Sequence, residues 1–336
     1  MIAEVLRGAR LGPYTKDRFA VRSNELLTVC ALALFNGSGC AIATTGLSSV
    51  GTDEGNPTAP ESQTTFEILS PGSEPRQPVR YTLHIGRREL GNVVSRETQH
   101  TSMVGQQLVD LTPPPICVHY SIAATEALPN DHFLTHYEVS SLEVMPDADA
   151  DPGVVALARA TMPQRAGTIR EQEVTTQGVT IESTRRWSKA MDPADADELE
   201  QLEQVANSAS SAFPPDPLGD GARWRATRTT SKRGVTSVAT VVSTLLQRLG
   251  DRIIVEQTFE IHGTNDDVGL PLAPPQKIRI RSLTMTGKMT KTEDLQSLVP
   301  ISKVVDEEWV ATFDMAGMPR PLNATRRVHV VTIREP

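Results

Sequence analysis

The chain has 336 residues and a formal net charge of −8, from 33 Lys and Arg against 41 Asp and Glu. An acidic balance without a dense Lys/Arg patch argues against nucleic acid as a partner and against electrostatic adhesion to anionic membranes. Aromatic residues make up only 4%, which disfavours an aromatic sugar-binding platform.

The first feature in chain order is a leader. Arg7, Arg10, Lys16, Arg18 and Arg22 outweigh Glu4, Asp17 and Glu25, and a ten-residue apolar run, Leu26–Phe35, follows. Spanning a bilayer takes about 20 apolar residues, so the run fits the hydrophobic core of a secretion signal instead. Asn36-Gly37-Ser38-Gly39-Cys40 comes next, and Cys40 resembles the lipid-accepting cysteine of bacterial lipoproteins. The expectation is removal of residues 1–39, acylation of Cys40, attachment to a membrane through that lipid, and a place in the cell envelope facing the periplasm or the exterior. Gly37 stands where such signals usually have Leu, so simple cleavage near Cys40 is the alternative. Cys30 leaves with the leader. Cys117 is then unpaired, or bridges to Cys40 in an oxidising compartment. Without the leader's five basic and three acidic residues, 28 basic and 38 acidic residues remain, net −10.

Residues 40–63, rich in Gly, Ser, Thr and Pro, read as a flexible tether. From Thr64 the apolar period becomes two. Val79, Tyr81, Leu83 and Ile85 alternate with polar residues, the mark of a half-buried strand. Phe133, Tyr137 and Val139 continue the pattern before the phase slips to Leu142 and Val144. Ile278 and Ile280 slip to Leu283 and Met285 in the same way. Such slips predict β-bulges, which bend strands into curved sheets.

Two helices are predicted among the strands. The first starts at Asp151-Pro152, with Val154, Leu157, Ala158 and Met162 as its apolar stripe. The second covers Pro193–Ala212, with Asp195, Asp197 and Glu198 in its first turns and Leu199, Leu202, Val205 and Ala209 on its buried side. Long strands follow: Ala222–Ser231, Val235–Arg248, Arg252–His262, Lys277–Thr290, Glu307–Asp314 and Ala324–Arg334. Turns of two to four residues make neighbours antiparallel. The expected fold class is mainly β (α+β): residues 64–336 form one domain, a large curved antiparallel sheet or half-barrel with a few helices on one side.

The stretch Phe213-Pro214-Pro215-Asp216-Pro217-Leu218-Gly219-Asp220-Gly221-Ala222-Arg223-Trp224 resembles the "Pro, then Gly-x-Gly, two residues, Trp" pattern of an uncharacterised bacterial lipoprotein family, a domain of unknown function. The resemblance implies a layout similar to the LolA-like half-barrel, and it brings no catalytic residues. The stretch also has a structural explanation: prolines stop a helix, glycines allow a reversal, and Trp224 plugs the next strand.

Asp147-Ala148-Asp149-Ala150-Asp151 opens like a calcium loop, but Pro152 and Ala158 stand where Gly and Glu are needed. A helix-capping acidic turn is the better reading. His132 and His136 have zinc-ligand spacing for a helix, whereas on a strand their rings lie about 13 Å apart. Cys117 and His119 share a strand face and make half of a site. No nucleophile elbow, phosphate loop or dinucleotide fingerprint is present, and no cofactor or metal is expected. The leading functional expectation is a non-enzymatic envelope lipoprotein that binds a lipid, another apolar ligand or a partner segment in the concave face, with Leu199, Leu202 and Val205 facing in. A periplasmic hydrolase assembled in three dimensions and a purely structural envelope protein are the alternatives.

Overall fold

The computed structural model describes residues 64–103, 106–186, 188, 212–232, 235–265, 278–315 and 320–335. In chain order the strands are β1 (Thr64–Ser70), β2 (Arg88–Met103), β3 (Gln106–Leu111), β4 (Ile116–Leu128) and β5 (His132–Val144). Helix α1 (Pro152–Thr161) and a 3-10 turn (Met162–Arg165) follow, then β6 (Ile169–Thr175) and β7 (Thr180–Arg186). The second half holds β8 (Arg223–Lys232), β9 (Val235–Leu249), β10 (Arg252–Asn265), β11 (Ile278–Asp294), β12 (Ser302–Met315) and β13 (Leu322–Arg334). All 13 strands belong to one sheet, in the order β1-β8-β9-β10-β11-β12-β13-β2-β4-β5-β6-β7, with β3 paired to the far half of β2. Every pairing is antiparallel, as the short turns require.

The strands from β8 to β5 along the sheet present one face to a common interior. Ala239 and Val241 of β9 share an apolar cluster with Val118 and Tyr120 of β4, although these strands are six places apart in the sheet. The cluster is continuous because β10, β11, β12, β13 and β2 each contribute to it between them, and the bulges curve the sheet around it. The phase slips seen in the sequence coincide with bulges. Tyr120 pairs with Val139 and His119 with Ser141, which leaves Ser140 as the extra residue. Ile280 pairs with Phe313 and Ser282 with Thr312, which leaves Arg281. Among the described residues the sheet remains open between β1 and β7.

Helix α1 lies inside the curl, where its Ala158, and Met162 of the 3-10 turn, join the core of Val93, Val118, Met285 and Trp309. It starts where Asp151 accepts hydrogen bonds from the Gly153 and Val154 amides, with Pro152 at the first helical position. A second cluster closes one end of the curl: Val79, Tyr81, Phe213, Leu218, Trp224, Leu245, Ile253 and Leu295. Here the expectation of a strand at 79–85 is corrected. The segment is extended and Val79 and Tyr81 are buried, but it belongs to no ladder. It crosses the end of the sheet on single hydrogen bonds, Tyr81 N–H to Thr176 and Thr82 N–H to Leu295. Alternation recorded its burial, which a connector lying on a core shares with a paired strand.

The loop 213–222 is a structural clip. Its backbone exchanges hydrogen bonds with the segment after β1: Gln77 with Leu218 in both directions, Ser73 N–H to Asp220, and Gly219 N–H to Pro71. Gly219 approaches so closely that an added Cβ would fall 1.7 Å from the Ser73 carbonyl oxygen, and Gly221 has φ +78°. Trp224 is fully buried, and its indole N–H donates to the Ala212 carbonyl at 3.1 Å.

Candidate functional site

Several residues singled out in the sequence now have a structural place. Asp151 caps α1, and Asp147 accepts from the Asp149 amide and pairs with Arg96 at 3.4 Å. His132 and His136 lie on β5, each beside a glutamate of β6: Glu173 at 2.6 Å and Glu171 at 3.6 Å. Cys117 and His119 are brought together, with Sγ 3.6 Å from Nε2. Among the described residues no group of three or more His, Cys, Asp and Glu could hold a metal ion. Cys40, Leu199, Leu202 and Val205 lie outside the described residues.

A network of charge inside the curl has no counterpart in the sequence reading. Lys291 and Lys303 stand opposite each other in the β11–β12 register, and both are buried. Lys291 Nζ donates to Glu293 Oε1 at 2.6 Å, the Tyr81 hydroxyl donates to the same oxygen at 3.1 Å, and Nζ lies 5.3 Å from the centre of the Phe213 ring. Burial, reinforced by the neighbouring Lys291 charge, pushes the Lys303 ammonium down to about 8, while Glu307 and Glu293 oppose the shift. Burial lowers Lys291 too, against the pull of Glu293. Higher in the curl Arg326 pairs with Glu97 and lies 5.7 Å over the Trp309 ring, whose N–H donates to Glu307 at 2.9 Å. Glu89 accepts from the Ser297 hydroxyl and from the Leu298 and Val299 amides, fixing the β11–β12 turn against β2. The hydrogen bonds and ring contacts of Lys291, Glu293, Arg326, Glu97, Glu307 and Glu89 tie β2, β11, β12 and β13 together inside the curl. The signal was present in the alternation: Lys291 and Glu293 continue the inward phase of Met285 and Met289.

The described surface offers a hollow of about 680 Å³ on the outer face of the sheet. Its floor crosses four neighbouring strands, β11, β12, β13 and β2, at the level of Thr286, Glu308, Arg327 and Thr98, which are in register. Thr112, Pro113 and Pro115 from the β3–β4 connection and Asp147 and Asp149 from the turn before α1 also line it. The floor is a row of charge pairs. Arg327 Nε donates to Glu308 Oε1 at 2.8 Å, and His329 Nδ1 lies 2.7 Å from Asp306 Oδ1. Both signs therefore line one volume, beside the backbone of two loops.

No protein-family model matches the chain, and no curated protein does. Solved structures give faint likenesses. Pseudomonas aeruginosa OccK2 (OpdF) shares 5% identity, covering 75% of this chain and 99% of that one with a TM-score of 0.23. Pseudomonas aeruginosa OccK9 (OpdG) shares 5% over 76% and 100%, TM-score 0.22, and a mutant Rh. blastica porin 7% over 74% and 100%, TM-score 0.19. Scores this low carry no argument. The chain's own surface bears on a membrane barrel directly, because lipid-facing strand positions must be apolar at mid-membrane. Here the outer positions at mid-strand include Glu256, Lys288, Asp306, Glu308, Arg327 and Arg96, while the inner face carries the apolar core. Among the described residues no helix is long and apolar enough to cross a membrane.

Proposed function

We propose that this chain is an exported lipoprotein of the bacterial cell envelope, held to a membrane through Cys40, and that it binds a polar ligand carrying both signs of charge in the hollow on its outer face. The observation that carries the binding reading is the hollow itself. Its volume of about 680 Å³ falls within the range of ligand pockets, roughly 300–1,000 Å³, and its lining supplies cationic and anionic groups at fixed positions. Export rests on the leader and on the small-residue stretch before Cys40. Replacing Cys40 with Ser moves the protein from the membrane to the soluble fraction in this reading; an unprocessed native chain in the cytoplasm would end it. For the hollow, thermal shift against a panel of zwitterionic, cationic and anionic small molecules should single out zwitterions, and Arg327→Ala should abolish the shift. A flat response across the panel removes the reading.

A second reading places an apolar ligand inside the curl, with Leu199, Leu202 and Val205 facing it. It is favoured by the apolar cluster that runs strand by strand from β9 to β4 along the inner face. Saturable binding of an environment-sensitive apolar dye, unaffected by Arg327→Ala, would support this reading over the first.

A further inference from the structure

On the same outer face, just beyond the rim of the hollow, β4 carries Cys117 and His119. Two residues apart on a strand, they point the same way. Cys117 Sγ lies 3.6 Å from His119 Nε2, and the other ring nitrogen, Nδ1, lies 3.7 Å from Glu335 Oε1. Glu335 is held there because its backbone N–H donates to the Leu90 carbonyl at 3.1 Å, fixing this part of the chain against β2. Asn92 of β2 stands opposite His119, and its Oδ1 is buried with no hydrogen-bond partner. The cluster adjoins the hollow on two sides. Val94 lies opposite Cys117, and Arg96, the next outward residue of β2, lines the hollow; so does Pro115, two residues before Cys117.

Each nitrogen of one imidazole faces one partner, a thiol on one side and a carboxylate on the other. In that order of groups a ring can take the thiol proton while the carboxylate holds it in place. Distances of 3.6–3.7 Å are longer than working hydrogen bonds, as is common before a substrate is bound. We propose that Cys117 is a nucleophile that accepts an acyl group from an ester bound at the outer face, with His119 as its base and Glu335 as the positioning residue. The inference is independent of the ligand assigned to the hollow.

Burial and the carboxylates of Glu143 and Glu335 push the Cys117 thiol up, so the resting group is S–H and the proton leaves during attack. The S–H proton passes to His119 Nε2 as sulfur bonds to the ester carbonyl carbon. The carbonyl C–O bond to the alcohol portion then breaks, and the departing oxygen takes its electron pair and recovers the proton from the imidazolium. The products are a Cys117 thioester and an alcohol. Attack by water through the same imidazole would free the acid and restore the thiol.

The probe is p-nitrophenyl acetate, mixed with the full chain near neutral pH, with acetylation of the Cys117 peptide followed by mass spectrometry. The peptide should acquire an acetyl group in the folded chain. His119→Gln should slow this by about 100-fold or more, the usual scale of general-base assistance. Glu335→Gln should slow it less and displace its pH dependence, whereas Ser141→Ala, opposite His119 on β5, should do neither. Unchanged melting temperatures establish that the variants fold, and if His119→Gln does not fold the pH profile of Glu335→Gln decides. Labelling of Cys117 only after unfolding in urea, or labelling at the wild-type rate in a folded His119→Gln chain, overturns the proposal. A failed ligand screen at the hollow leaves these outcomes untouched, so the two readings fail separately.

Discussion

At Gly219 a single methyl group decides whether two chain segments can meet. Alanine there would place its Cβ 1.7 Å from the Ser73 carbonyl oxygen, and a backbone atom cannot turn aside as a flexible side chain can. Gly219→Ala should cost roughly 2–4 kcal/mol in urea titration, by forcing the clip between 71–77 and 218–222 open. Gly221→Ala should cost about 1–2 kcal/mol, because only the positive φ is at issue. Equal costs at the two positions would mean that the close approach is not what holds the clip. Lys303 behaves in the opposite sense. Its ammonium is held down to about 8 in the folded chain against an ordinary 10.5, so between these values the unfolded chain binds more protons. Stability from this group therefore rises with pH from about 8 towards 10.5, and below pH 8 the burial penalty is fully present. Lys303→Met should be neutral or stabilising at pH 7 and should flatten the rise between pH 8 and 9.5, read from melting temperatures. A marked loss of stability at pH 7 would show that the charge is needed in place.

At the scale of single elements the sequence was readable where burial and apolarity coincide. Asp151-Pro152 and the stripe of Val154, Leu157 and Ala158 announced α1, and the hairpins from β8 to β11 and the last strand, β13, fell close to their expected bounds. Asp151→Ala should cost about 1 kcal/mol, measured by urea titration, since it removes the acceptor for two helix amides. The bulges were legible because an extra residue must invert the alternation: Ser140 and Arg281 sit at the breaks. Strand β2 was not legible. Its inward positions include Glu89, Ser95, Glu97, Gln99 and Thr101, and polar residues facing a polar network leave no apolar period to read. For the same reason the start of β12, with Lys303 inside and Val304 outside, was missed. Of the cluster around the buried Cys117, only the Cys117–His119 pair could be anticipated. Glu335 is far from both in sequence and reaches them because β13 pairs with β2, which no local pattern encodes.

Across the whole molecule the two apolar clusters share strands, and this predicts how the chain unfolds. β9 places Ala239 and Val241 in the larger cluster and Leu245 in the end cluster, while β10 places Ile253 and Val255 in one and Phe259 and Ile261 in the other. Neither core can melt without breaking strands that serve its neighbour. In a Trp187→Phe background, fluorescence of Trp224→Phe and Trp309→Phe variants, each keeping only the reporter of the other cluster, should show unfolding transitions as coincident with circular dichroism as each variant's own stability allows. Separated transitions within one variant would mean that the end cluster is an independent unit. The order of the sheet has a further result in time. β1 and β2 are consecutive in the chain, yet six strands, β8 to β13, lie between them in the sheet. A chain made from its N-terminus therefore completes β1 to β7 with a gap to be filled, and β2 keeps a bare edge until β13, the last strand, arrives. Throughout that delay its unpaired amides and carbonyls can join a neighbouring unfinished chain instead. The yield of folded protein will then follow the supply of chaperones during synthesis more closely than the stability of the finished sheet.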